Sequence, residues 1–210
     1  MINLHVFPPS PRAFKVLALA EHMGLEYKTC IVDLSKGEQN LPGFVALNPN
    51  KRMPVLVEDD FVLWESNAIL QYLASKKPQS GLLPLDERRR AEVTQWQCWD
   101  LAHWDPACAT LIFERLVKKL FSMGEADAAE VAKGEERFHR CAEVLNAQLR
   151  GRKYLTGNAL TVADFSVGAP LNVAVPAQMP LSGYAEIKRW HAGLCELPAW
   201  KKTMPAPPGG

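Results

Sequence analysis

Two short stretches of this chain carry groups that can hold a small peptide. The first is Lys51-Arg52-Met53-Pro54-Val55. Pro54 has no backbone N–H, yet it opens the apolar run Pro54-Val55-Leu56-Val57, and proline is tolerated at the first residue of a strand. A cis proline turns the chain tightly there and exposes the N–H and C=O of the preceding Met53 to an extended peptide. The second stretch is Glu65-Ser66, eleven residues after the proline. It follows another short apolar run and precedes a helical pattern. A carboxylate, a hydroxyl and the N–H groups of a helix start therefore converge, and together they suit both charges of a zwitterionic amino-acid end.

The elements that must position these groups follow from spacing. Ile2 to Phe7 is an apolar run and the expected first strand, broken by Pro8-Pro9-Ser10-Pro11. Ser10 stands where an N-cap belongs and Pro11 fits the first helical position. Ala13, Val16, Leu17, Ala20 and Met23 keep helical spacing up to Gly24. Tyr27 to Val32 reads as a second strand, and Phe44 to Leu47 as a short helix ended by Asn48-Pro49. Pro54–Val57 and Phe61–Trp64 form a hairpin around Glu58-Asp59-Asp60, and a third helix carries Ala68, Ile69, Tyr72 and Leu73.

After a linker at Gln79-Ser80-Gly81-Leu82-Leu83-Pro84, strand signals disappear. One long helix is expected from Asp86 to about Met123, bent at Pro106, and a second from about Glu125 to Leu149. A third opens at Thr161-Val162-Ala163-Asp164, a T-x-x-D capping box with no catalytic role. Shorter helices follow Gly183 and Pro198, and the Pro205-Ala206-Pro207-Pro208-Gly209-Gly210 tail is expected to be irregular. The expected fold class is thus a small α/β domain over residues 1–80 followed by an all-α domain over residues 86–210.

Composition excludes several functions. Lys plus Arg number 24 against 23 for Asp plus Glu, which gives no basis for a nucleic-acid or anionic-membrane partner. No apolar stretch approaches the roughly 20 residues of a membrane span, and the N-terminus lacks the basic region of a signal peptide. Five scattered cysteines without a CxxC, and histidines without ligand spacing, predict neither a disulfide framework nor a metal site. A cytoplasmic location is the expectation.

Four features in register resemble the cytosolic glutathione transferase family over nearly the whole chain. They are Ser10 ahead of Lys15-Val16, Asn48-Pro49 before Met53-Pro54-Val55, Glu65-Ser66-Asn67-Ala68-Ile69, and the Thr161 to Asp164 box. The resemblance implies a thioredoxin-like first domain, glutathione as co-substrate, a homodimer, and a cleft between the domains for a small hydrophobic electrophile. Ser10, rather than a cysteine or tyrosine, marks the serine-type classes, nearest the phi type and some bacterial relatives. Ser10 would donate to the glutathione thiolate, and Met53 beside Pro54 would pair with the cysteinyl unit. Glu65 and Ser66 would take the γ-glutamyl end.

Gln39-Asn40 stand where the phi pattern has His-Lys for the glycine carboxylate, so Lys51 and Arg52 are expected to bring that charge from the other side. The cleft would be lined by Pro11, Arg12, His103, Trp104 and Ala107. Asp100 is considered as a reach across the dimer to the partner's glutathione. Two other readings stay open: a glutathione-dependent peroxidase or disulfide reductase, and a non-catalytic ligand-binding or regulatory protein on the same fold.

Overall fold

A computed structural model describes residues 1–204; the tail expected to be irregular lies outside the described residues. The first unit is a four-stranded mixed sheet in the order β2-β1-β3-β4. Its strands are β1 (Ile2–Val6), β2 (Tyr27–Ile31), β3 (Val55–Glu58) and β4 (Phe61–Trp64). β1 runs parallel to β2 with Leu4 opposite Thr29, and antiparallel to β3 with Leu4 opposite Leu56. Ile2, Leu4 and Val6 alternate inward, as a half-buried strand requires, and pack under α1 (Pro11–His22) and α3 (Ser66–Ser75). On the opposite sheet face Phe44, from α2 (Pro42–Leu47), packs with Val32 and Val55.

The helical unit opens with α4 (Glu87–Trp99), whose N-cap Asp86 accepts from the Arg89 N–H at 2.9 Å. The rod expected to be one helix does continue, but through two π turns. Asp100–Trp104 is π, α5 (Asp105–Ile112) follows, Phe113–Val117 is π again, and α6 (Lys118–Leu120) ends it. Pro106 sits in the first turn of α5. It lacks an N–H and its ring crowds the carbonyl four residues back, so the irregular turn forms just before it, at residues 100–104.

The remaining helices are α7 (Ala128–Gln148), α8 (Val162–Gly168), α9 (Ala185–Cys195) and α10 (Pro198–Thr203). The capping box at the head of α8 forms as expected. The Asp164 carboxylate accepts from the N–H groups of Thr161 (2.9 Å) and Leu155 (2.8 Å) and from the Trp190 indole (2.9 Å). One buried apolar cluster runs from Ile2 and Leu4 of the sheet through Phe14 and Leu19 of α1 to Phe165, Trp190 and Trp200 of the helical unit.

Candidate functional site

The sharp turn before β3 is built by Asn48, which is buried. Its amide donates to the Arg52 carbonyl at 2.7 Å, while its carbonyl oxygen accepts from the Asn50 N–H at 3.0 Å. The Met53–Pro54 bond is cis, as expected. β3 begins only at Val55, so the Met53 N–H and C=O stand outside the sheet ladder. At the head of α3, Ser66 is buried and Glu65 is exposed, with φ 70° and ψ 112°. An L residue held in that region costs about 1–3 kcal/mol, and such outliers persist where the surroundings fix them, often at binding sites.

These parts face one cleft of about 300 Å³. It is lined on the sheet side by Arg12, Asn48, Arg52, Met53, Pro54, Glu65 and Ser66, and on the helical side by Leu101, Asp105 and Pro106. Arg12 closes the seam between the two sides through a two-point ion pair with Asp105, its Nε donating at 3.2 Å. Burial disfavours the Arg12 charge, but the hydrogen bond and field of Asp105 outweigh it and hold the guanidinium above its ordinary value. Ser10 is the N-cap of α1 and half-buried. Its N–H donates to the Phe7 carbonyl at 2.9 Å, and its hydroxyl makes no capping bond, so the hydroxyl is uncommitted at the positive end of a helix.

The residues expected to make the site thus divide. Arg12, Arg52, Met53, Pro54, Glu65 and Ser66 share the cleft. Lys51 is exposed with φ 56°, and Gln39, on the 3-10 turn Glu38–Asn40, keeps a buried Oε1 without a hydrogen-bond partner; neither lines the cleft. Pro11 faces a separate small hollow with Pro8, Pro9 and Phe14.

Three expected cleft residues on the long rod are corrected. Trp104 is fully buried, donates its indole N–H to the Val167 carbonyl at 2.9 Å, and stacks on Trp99. Ala107 is buried in the core. His103 faces an outer groove with Trp99, Arg137, Arg140 and Cys141. Asp100 is also corrected: it is fully buried and paired with Lys15 of its own chain at 3.2 Å, so it cannot extend to a partner.

The π turn explains all four. An α-helix advances about 100° per residue, so a wheel drawn at that step misplaces everything beyond a turn that closes on the fifth residue. Leu101, Asp105 and Asn48 are the cleft residues that sequence reasoning missed. Asn48 had a signal, its place before Pro49 and the cis proline. Leu101 and Asp105 had none, because their facing depends on the π turn.

A thioredoxin-like sheet unit with a cis proline, seamed to an all-helical unit across a cleft, is the architectural class. Comparison then gives the family. Residues 2–75 match the family model described as "Glutathione S-transferase, N-terminal domain", and residues 103–198 the one described as "Glutathione S-transferase, C-terminal domain". The chain is 35% identical over 213 residues to glutathione S-transferase 3 of Zea mays, covering 99% of this chain and 95% of that one. It resembles the crystal structure of glutathione transferase F7 from Populus trichocarpa (TM-score 0.88, 27% identity, 97% of each chain). It also resembles a Burkholderia graminis glutathione transferase with two glutathione molecules bound per subunit (TM-score 0.84, 25% identity, 100% of this chain and 89% of that one). The chain belongs to the glutathione S-transferase family, and the serine-type, phi-like resemblance agrees with its plant relatives.

Proposed function

We propose that this protein conjugates the thiolate of glutathione to small hydrophobic electrophiles, with Ser10 as the thiolate donor. The reading rests on one observation above others: an uncommitted Ser10 hydroxyl at the head of α1, in the sheet unit that carries the Met53 edge and the Glu65-Ser66 pair.

A free thiol with a pKa of about 8.5 is only a few per cent ionised near neutrality. Lowering that pKa by two units needs about 2.7 kcal/mol, and a hydrogen bond to a charged group contributes about 1.5–3 kcal/mol. The Ser10 hydroxyl and the helix terminus together reach that value. Ser10 donates and keeps its proton; the glutathione sulfur is the nucleophile.

In this reading the Met53 N–H and C=O pair with the cysteinyl unit, and Glu65 and Ser66 take the γ-glutamyl ammonium and carboxylate. Arg52 takes the glycine carboxylate, since it lines the cleft while Lys51 and Gln39 stand outside the lining. The electrophile lies against Arg12, Leu101, Asp105 and Pro106. Residues 1–80 act as the glutathione-binding domain and residues 86–210 as the co-substrate domain. Two copies associate through the apolar edge at Phe61, Val62 and Trp64, which are 42%, 38% and 39% exposed. The chain works in the cytoplasm, in keeping with five free cysteines.

Glutathione titration followed by thiolate ultraviolet absorbance tests the assignment. The wild type should show the thiolate band at neutral pH and Ser10→Ala should lose it, with kcat/KM for a chloronitrobenzene falling about a hundredfold. Unchanged thiolate formation in Ser10→Ala would remove Ser10 from its role. A second reading, reduction of glutathione mixed disulfides, is favoured by the Burkholderia graminis relative with two glutathione molecules per subunit. Turnover of a mixed disulfide above that of a chloronitrobenzene would select it.

A further inference from the structure

Beneath the cleft floor lies a buried cation that no part of the proposed chemistry uses. Lys15 is 2% exposed, on α1, five residues after Ser10. Its Nζ donates to Asn67 Oδ1 at 2.7 Å and to Asp100 Oδ2 at 3.2 Å. Asn67 follows Ser66 directly. Its amide donates to the Gln97 carbonyl at 3.0 Å and to Asp100 Oδ2 at 3.3 Å, and its Oδ1 also accepts from the Ser166 hydroxyl at 2.8 Å. Gln97 closes the network, its amide donating to Ser166 Oγ at 3.3 Å. Lys15, Asn67, Gln97, Asp100 and Ser166 are all buried. They tie four elements together: α1, α3, the α4 rod and α8.

The π turn makes this possible. On an α-helix Asp100 and Asp105, five residues apart, would point about 140° away from each other. Here the Asp105 N–H bonds to the Asp100 carbonyl, and that i→i+5 closure brings both carboxylates round toward α1. Asp100 receives Lys15 and Asp105 receives Arg12, three residues earlier on the same helix. The two halves of the proposed glutathione site, Ser10 at the head of α1 and Ser66 at the head of α3, are thereby anchored to one cation. Burying a charged pair contributes little net stability compared with apolar packing, so its retention here calls for a positional account.

We infer that Lys15, held by Asp100 and the π turn, is a positioning residue that sets the separation of Ser10 from Ser66 and so tunes glutathione capture. This rests on the assignment of glutathione to that cleft. Lys15 touches no reacting atom; it acts through Asn67 on Ser66 and through α1 on Ser10.

Steady-state kinetics with glutathione and a chloronitrobenzene, alongside thermal unfolding, tests it on four variants. Lys15→Met should raise the glutathione KM about tenfold and leave the electrophile KM unchanged. Lys15→Arg, which keeps the charge, should recover most of that loss. Lys15→Met/Asp100→Asn removes both charges and leaves no unpaired carboxylate. It should regain thermal stability while keeping the raised KM, and it carries the test if Lys15→Met does not fold. A folded double variant with the wild-type glutathione KM would overturn the inference, because the pair would then be structural only. Ser66→Ala is the control on the underlying assignment and should raise the glutathione KM. If it does so while the Lys15 variants do not, only the positioning role fails; if Ser66→Ala leaves KM unchanged, both fail.

Discussion

Asp164 and Asp100 are both buried carboxylates of the helical unit, and burial pushes both carboxyls above the ordinary range. They are held in opposite ways. Asp164 has no cation; it is satisfied by two backbone N–H groups, an indole and the Thr161 hydroxyl. Asp100 has a lysine from another element, and its Oδ1 is left without a partner. A carboxylate solvated by neutral donors from nearby turns is a folding element. One paired across a domain seam and half satisfied is arranged for position rather than stability.

Removing Asp164 should give the larger effect. Asp164→Ala leaves the Leu155 N–H and Trp190 indole unpaired in the core, and unfolding in urea should show a loss of about 4 kcal/mol. The glutathione KM of the folded fraction should not move. Asp100→Asn should cost less, about 3 kcal/mol, since the amide oxygen still receives Lys15, but it should raise the glutathione KM. If Asp164→Ala shifts that KM as Asp100→Asn does, the distinction between the two carboxylates collapses. Thr161→Val, which keeps the shape and removes the hydroxyl from the capping box, should cost about 1 kcal/mol in the same urea assay and sharpen how much of Asp164's contribution is local.

The pH dependence separates the same two groups from a third. A carboxyl whose folded pKa is raised favours the folded state in acid, so neither aspartate should drive acid unfolding. His191 should. Burial lowers it from 6.5 to about 4, so the native ring stays neutral while the unfolded ring takes a proton. Its stability contribution is present above the unfolded pKa and is lost as pH falls from 6.5 toward 4. The urea midpoint should drop over that window by a small amount, and the drop should shrink in His191→Gln. A midpoint just as steep in the variant would assign the acid transition elsewhere.

The same contrast explains what the sequence made legible. The Thr161–Asp164 box, the β3–β4 hairpin, the cis proline and the Glu65-Ser66 helix start were all readable because cause and effect lie within a few residues. The rod's extent was also readable, from its N-cap and from the loss of strand signals. The facing of its middle was not. Lys15 and Asp100 meet across 85 positions, and the π turn that aims Asp100 depends on backbone closure rather than on residue type. Trp104 is the sharpest case: its density of aromatic neighbours was visible, but which side of the rod it occupied was not.

The unbroken apolar cluster from Leu4 to Trp200 has a thermodynamic consequence. Neither unit can open without wetting the flank of the other, because α1 serves both as the cover of the sheet and as a wall for α8 and α10. Heating should therefore produce one cooperative melt, with calorimetric and van't Hoff enthalpies in agreement, rather than two domain transitions.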